Sequence, residues 1–140
     1  MIVVLDSNIL LSALITPAGP PGQIYRAWRA RRFELATCET QIEEIRKASH
    51  YTKFSHVLQP HSFGILINNM HRARVWNAPL PQAHQAADPQ DSYLLNLAEA
   101  ANADYLITGD VRARLLERMK LGRAHICTVR HFCDQVLRLR

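Results

Sequence analysis

The chain has 140 residues, 48% of them hydrophobic, which suits one domain with a single buried core over residues 1–140. Its three cysteines form no Cys-x-x-Cys pair and no apolar run could span a membrane, so we expect a cytoplasmic protein rather than a disulfide scaffold or a membrane protein. The net charge of +5, with fourteen arginines among seventeen basic residues, favours a polyanionic partner such as nucleic acid.

The first half of the chain alternates between strand and helix patterns. Residues 2–5 are a continuous apolar run without a basic lead, as expected of a buried parallel strand rather than a signal peptide. A helix is predicted at 9–15, and it ends in the turn-forming residues of 16–22. Further along, the pattern predicts a helix at 23–31, a strand at 33–37 and a helix at 39–49.

The second half continues this alternation after a less distinctive middle segment. Pro60 can start a helix, because proline is tolerated in the first turn, and apolar residues from Phe63 to Met70 follow at helical spacing. The remaining predicted elements are strands at 75–76, 105–108 and 126–128, a loop at 79–87, and helices at 91–101, 111–120 and 131–139. This alternation predicts a three-layer α/β/α fold with a central parallel sheet.

Acidic residues recur where predicted strands give way to helices. Asp6 follows the first strand, and Asp110 follows the strand that ends at Thr108. The carboxyl ends of parallel strands meet in one crevice, and carboxylates gathered there repel each other unless a divalent cation binds. Each acid could instead cap the helix that follows it. Asp104 precedes its strand and therefore falls on the opposite edge of the sheet, which excludes it from the site.

Two further acidic segments leave alternatives open. Glu43 and Glu44 lie about equally far around their helix from its apolar face, so periodicity cannot separate them. Asp88 and Asp91 flank Pro89 and Gln90 in an arrangement typical of a capped helix start. Capping and metal binding are compatible there, because the start of this helix can itself face the crevice.

Three polar residues lie next to these acids in the sequence. Ser7 and Thr108 carry hydroxyls that can orient a carboxylate or a water molecule. Asn8 can support the loop that carries Asp6. We therefore expect these residues to support the site rather than to react.

Four segments together resemble a PIN domain. They are VVLDSNILLSAL at the start, ETQIE with the acid after it, DPQDSYLLNLAEAANADYLITGD, and ICTVRHF near the end. The chain is most similar to the stand-alone bacterial PIN proteins regarded as toxins of toxin–antitoxin pairs. The resemblance covers nearly the whole chain, with residues 51–80 the least distinctive part. The opening Asp and the TGD segment are specific in combination.

The resemblance implies a set of site residues. The family's serine-to-glutamate spacing favours Glu44 over Glu43, and its acid beside the leucine-rich helix corresponds to Asp91, which leaves Asp88 to cap or assist. The implied catalytic residues are Asp6, Glu44, Asp91 and Asp110, of which Asp6, Asp91 and Asp110 hold the metal. The expected cofactor is Mg²⁺ or Mn²⁺, since hard divalent ions prefer oxygen ligands. The sequence leaves open whether one ion or two ions act.

The expected activity is that of a metal-dependent endoribonuclease, the toxin of a toxin–antitoxin pair. Arg112, Arg114 and Arg118 begin just past Asp110, where they can hold an RNA strand near the metal, or can simply form an exposed helix face. A small antitoxin protein is the implied partner, and a homodimer through the helix after Pro60 is compatible with the family. The alternative is a catalytically silent PIN-like module that binds RNA or protein. A P-loop is absent from the sequence.

Overall fold

The computed structural model describes residues 1–50, 56–82, 84, 92–109 and 120–138. The strands are β1 (Ile2–Leu5), β2 (Glu34–Cys38), β3 (Arg74–Trp76), β4 (Tyr105–Ile107), β5 (Lys120–Leu121) and β6 (Ala124–Cys127). The helices are α1 (Ser7–Ile15), α2 (Pro20–Arg29), α3 (Glu39–Ala48), α4 (Pro60–His71), α5 (Ser92–Ala100) and the single turn α6 (Val129–His131), which continues into a π-helical turn, Phe132–Val136.

The strands form one sheet in the order β3-β2-β1-β4-β6-β5. The pairs from β3 through β6 are parallel, and β5 pairs with β6 in the antiparallel sense. β1 is central, which explains why its sequence is a continuous apolar run: both faces of a parallel strand are covered. The chain runs outward from β1 in both directions, so the carboxyl ends of β1 and β4 meet at a switch point of the topology.

Helices cover both faces of this sheet. Val3 and Leu5 belong to a core shared with α1 to α4, whereas Val4 belongs to a second core shared with α5. These three side chains are fully buried and point alternately to the two faces, as the two-residue period of a strand requires. The predicted three-layer α/β/α fold is confirmed.

The helix α2 begins three residues earlier than the sequence pattern predicts. Pro20 and Pro21 occupy its first positions, where a missing amide hydrogen removes no helical hydrogen bond. Gly22 follows them with its Cα against the preceding loop, because a Cβ there would lie 1.9 Å from the carbonyl oxygen of Pro17. Proline and glycine here therefore start a helix against a close backbone neighbour rather than extend a turn.

The last third of the chain differs most from the prediction. Lys120, the predicted end of a helix, lies in β5, which joins β6 through a turn at Gly122 with a φ of 57°. The helix predicted at 131–139 begins at Val129, capped by the Thr128 side chain, and becomes π-helical from Phe132. Residues 111–119 lie outside the described part. In that described part, no helix is long and apolar enough to cross a membrane.

Candidate active site

Asp6 lies at the carboxyl end of β1, directly beside the end of β4. Its backbone N–H donates to the carbonyl oxygen of Ile107 at 2.9 Å, which continues the ladder between the two strands. Its Oδ1 accepts a hydrogen bond from the backbone N–H of Asn8 at 3.0 Å, and its Oδ2 accepts one from Thr108 Oγ1 at 3.2 Å. The residue is only 4% exposed. The β1–α1 turn and β4 thus hold this carboxylate in one orientation.

The arrangement around Asp6 suits a ligand of a hard cation. Carboxylates that bind metal ions are themselves oriented by hydrogen bonds, as Asp6 is by those from Asn8 and Thr108. Carboxylate oxygens are the ligands that Mg²⁺ and Mn²⁺ prefer. Asp6 also caps α1, and this capping role is compatible with the predicted ligand role.

Gln41 lies fully buried beneath the Asp6 turn. Its Oε1 accepts a hydrogen bond from Thr37 Oγ1 at 2.6 Å, and its Nε2 donates to the carbonyl oxygen of Leu5 at 2.6 Å and to Ser7 Oγ at 3.3 Å. Leu5 and Ser7 are the two neighbours of Asp6 in the chain. The buried amide therefore ties α3 to the turn that carries the acid.

Tyr93 connects Ser7 to Glu44 across the site. Its hydroxyl lies 3.1 Å from Ser7 Oγ and donates to Glu44 Oε1 at 2.8 Å. A phenol has one hydrogen, so Ser7 donates to Tyr93 when Tyr93 donates to Glu44. Burial, followed by the charge of Glu44, raises the pKa of Tyr93 far above its usual value, which keeps the hydroxyl protonated. One chain of hydrogen bonds therefore leads from Thr37 through Gln41, Ser7 and Tyr93 to the Glu44 carboxylate.

The structure separates Glu44 from Glu43. Glu44 is partly buried and turns toward Tyr93 on α5, at the same edge of the sheet as Asp6. Glu43 points outward, with 54% of its side chain exposed, and pairs with Arg46 one helical turn on at 3.2 Å. The geometry therefore places Glu44, and not Glu43, at the crevice.

Several predicted site residues lie outside the described part of the chain. Within that part, no group of three or more histidine, cysteine, aspartate or glutamate residues is arranged to hold a metal ion. The predicted acids that follow Glu44 in the chain, and the predicted RNA-binding arginines, are not among the described residues, so their roles stay predictions. These residues are Asp88, Asp91, Asp110, Arg112, Arg114 and Arg118.

Asp104 lies at the opposite, amino-terminal edge of the same two strands. Its Oδ2 accepts a hydrogen bond from the backbone N–H of Ile2 at 2.8 Å, and its Oδ1 accepts one from Arg123 Nε at 2.9 Å. The hydrogen bond from Ile2, reinforced by Arg123, lowers the pKa of Asp104 below its ordinary value. This acid fastens the start of β1 to the start of β4.

The arginines at the end of α2 and before β2 also lie at that amino-terminal edge. The guanidinium of Arg29 stacks over the Trp28 ring at 5.1 Å from its centroid. Arg31 adopts a positive φ of 61°, and Arg32 donates to the carbonyl oxygen of Leu137 at 2.8 Å. Because β2 runs parallel to β1, this cluster is separated from Asp6 by the length of the strands.

Tyr93, Gln41 and Thr37 were not predicted as part of the site. Gln41 had a usable signal, because it lies three residues before Glu44 and therefore on the same helical face. Tyr93 follows the Asp88 to Asp91 segment closely, but nothing local indicates that its hydroxyl reaches α3. Thr37 lies inside a strand, where threonine is common without any site.

The family model that matches is described as a PIN domain, and it covers residues 2–112. A mostly parallel sheet with a buried acid at its switch point defines a class of α/β proteins with an acidic crevice. Within that class, the chain belongs to the PIN-domain family, as its sequence segments indicate. PIN domains are generally nucleases, and these nucleases generally use divalent metal ions.

Among solved structures, the chain is similar to one in the crystal structure of VapBC2 from Rickettsia felis bound to a DNA fragment from their promoter. The TM-score is 0.56 and the identity 14%, over 91% of this chain and 98% of that chain. At this identity the similarity supports the fold. No curated protein matches the chain.

Proposed function

We propose that the chain is a metal-dependent endoribonuclease that hydrolyses RNA phosphodiesters and serves as the toxin of a toxin–antitoxin pair. The observation that carries the proposal is the placement of Asp6 at the switch point, joined through Ser7 and Tyr93 to Glu44, in a PIN domain. The carboxylate of Asp6, before α1, and that of Glu44, on α3, thus face the same edge of the sheet. This is the edge at which ligands bind in open parallel α/β folds.

Each acid has a role in the proposed site. Asp6, Asp91 and Asp110 hold Mg²⁺ or Mn²⁺, and Glu44 supplies a further carboxylate to the crevice. When bound, such a cation lowers the pKa of a coordinated water and neutralises charge on the scissile phosphate. Asn8 and Thr108 hold the Asp6 carboxylate at its two oxygens.

RNA contacts in this proposal come from the arginines after Asp110, namely Arg112, Arg114 and Arg118. Contacts with phosphates release counterions, so affinity for RNA should fall as salt rises. The arginines at the amino-terminal edge are less suited to this task, because they lie at the far end of the strands from Asp6.

A small antitoxin protein is the proposed partner, and it would cover the crevice in the inactive complex. The support is the similarity in fold to a chain of VapBC2, together with the PIN family match. We place the pair in the cytoplasm, and a homodimer through α4, where Ile65 is 44% exposed, is part of the same proposal.

The direct test is cleavage of single-stranded RNA by the purified chain with Mg²⁺, with Mn²⁺ and with EDTA, against duplex DNA as a second substrate. We expect RNA cleavage only with a divalent ion, and RNA binding that weakens between low and high salt. Cleavage that persists in EDTA would contradict the metal mechanism. RNA binding without cleavage under any cation would favour the catalytically silent module.

A crystal soaked in Mn²⁺ would identify the ligands directly. We expect anomalous density between Asp6, Asp91 and Asp110. The matched pair Asp91→Asn and Asp88→Ala separates ligand from cap: the first should lose the metal, and the second should cost only about 1 kcal/mol of stability. The opposite ranking would assign the metal to Asp88.

A further inference from the structure

A cavity of about 750 Å³ opens beside the carboxylates, on the side of β2 and β3. Cys38 and Trp76, which are paired at the carboxyl ends of these two strands, form one wall. Tyr93 and Asn96 of α5 form another, and residues 77–82 continue the lining, which also includes Glu39, Thr40, His84 and Ser92. This volume is in the range of about 300–1,000 Å³ that is typical of small-molecule sites.

The walls of this cavity suit a flat ring with polar edges. Trp76, Pro79 and Leu80 present apolar surfaces, and Asn77 and Gln82 present amides. Side-chain amides form paired hydrogen bonds with base edges, and aromatic rings stack on bases. The described lining contains neither lysine nor arginine, so its chemistry favours a neutral ring over a phosphate group.

One polar atom near this cavity lacks a hydrogen bond. Trp76 Nε1 is buried, and no acceptor for its hydrogen is found in the described part of the chain. A buried N–H without an acceptor is costly, so a shift of the Trp76 ring that brought this N–H to an acceptor on a bound ligand would be stabilising.

Tyr93 is shared between the cavity and the acidic site. Tyr93 lines the cavity, and its hydroxyl forms hydrogen bonds with Ser7 and Glu44. A ring bound in the cavity would therefore lie next to the edge that carries Asp6. RNA-binding proteins commonly recognise single strands by splaying a base out of the stack and holding it in this way.

We propose that this cavity binds an unstacked nucleobase of the RNA substrate, beside the scissile phosphate, and sets the base preference at one position of the cleavage site. This inference rests on the proposed ribonuclease function. In this proposal the residues around Trp76 set the base preference, and the arginines after Asp110 bind the phosphates.

The chain offers an internal reference for testing the binding. It has two tryptophans, and Trp28 belongs to the core on the other face of the sheet. Titration with each of the four nucleosides, which carry no phosphate, should shift the indole N–H resonance of Trp76 and leave that of Trp28 unchanged. The metal site should not contribute, because nucleosides lack the charged group it binds.

Two matched substitutions complete the binding test. Ala78→Phe adds a ring at an exposed position in the cavity lining, and Ala30→Phe adds the same ring at an exposed position after α2, at the amino-terminal edge of the sheet. We expect Ala78→Phe to weaken nucleoside binding about tenfold or more, equivalent to a 1.4 kcal/mol loss, and Ala30→Phe to leave it unchanged. An unmoved Trp76 resonance with all four nucleosides, or equal binding in both variants, would overturn the inference.

Sequencing the ends of a cleaved random RNA pool separates this inference from the proposed function. The wild type should prefer one base at one position, and Ala78→Phe should lose that preference, whereas Ala30→Phe should keep it. Metal-dependent cleavage with the same preference in Ala78→Phe would refute the base pocket and leave the nuclease standing. Nucleoside binding without any RNA cleavage would refute the nuclease and leave the base pocket standing.

Discussion

The two edges of the sheet each carry an aspartate beside β1 and β4, and the two residues are held differently. At the amino-terminal edge, Asp104 binds a backbone amide and the guanidinium of Arg123, in an arrangement that joins two strands. At the carboxyl-terminal edge, Asp6 is held by an amide and a hydroxyl, and its neighbourhood continues through Ser7 toward Glu44. Position along the strand therefore separates a structural acid from a candidate ligand of the same residue type.

The largest difference in cleavage rate should appear between two single variants, each of which removes the aspartate charge at one edge of the sheet. Asp6→Asn should lower metal-dependent RNA cleavage by more than about 100-fold, beyond the range usual for groups that only orient a ligand. It should leave the fold intact and can raise stability without metal, because carboxylate repulsion is relieved. Asp104→Asn should keep the cleavage rate. Initial rates at saturating Mn²⁺, with thermal unfolding of both variants, test the contrast, and equal rates for both variants would break it.

The second contrast lies within α3. Glu44→Gln should lower cleavage by about 10-fold to 100-fold, because a carboxylate is lost from the crevice. Glu43→Gln removes an exposed pair with Arg46, which contributes at most about 1 kcal/mol to stability, and should leave cleavage unchanged. Steady-state cleavage rates of the two variants show which glutamate contributes to catalysis. A loss confined to Glu43→Gln would move the catalytic role to that residue.

A smaller effect should follow from Tyr93→Phe, which removes the hydroxyl between Ser7 and Glu44. We expect about a tenfold fall in the cleavage rate, because Glu44 loses its positioning donor. If the hydroxyl acts through Glu44, Tyr93→Phe should have little further effect in the Glu44→Gln background. Rates of the two single variants and the double variant measure this coupling. Additive losses would show that Tyr93 acts independently of Glu44.

The smallest effect concerns stability at the amino-terminal edge. The folded state lowers the pKa of Asp104, so its contribution is present above the ordinary value of 3.8 and is lost as pH falls through the lowered pKa. Asp104→Asn should cost about 1–2 kcal/mol at neutral pH and make stability less sensitive to acid below that value.

Urea unfolding across the acid range measures this dependence. Glu34→Gln is the matched control, because its pair with Arg74 is exposed on both sides and should contribute little. An unchanged acid dependence in Asp104→Asn would mean that the charge at this edge has no structural role.

Local sequence signals were sufficient for the framework of the fold. The apolar run 2–5 followed by Asp6 predicts a buried central strand with an acid at its carboxyl end, and both features are observed. Alternating strand and helix patterns predict the α/β/α layers, because each pattern depends on neighbours only a few residues apart. The same reasoning missed β5, since two residues are too short for a strand pattern.

The tertiary structure decided which contacts hold the acids, although the family resemblance already favoured Glu44 over Glu43. Periodicity left Glu43 and Glu44 equivalent, and the choice depends on which side of α3 faces Tyr93, a residue 49 positions from Glu44 in the chain. The hydrogen bond from Thr108 to Asp6 spans 102 positions. Such contacts leave no local pattern, because they arise only when the sheet order brings β4 and α5 beside β1 and α3.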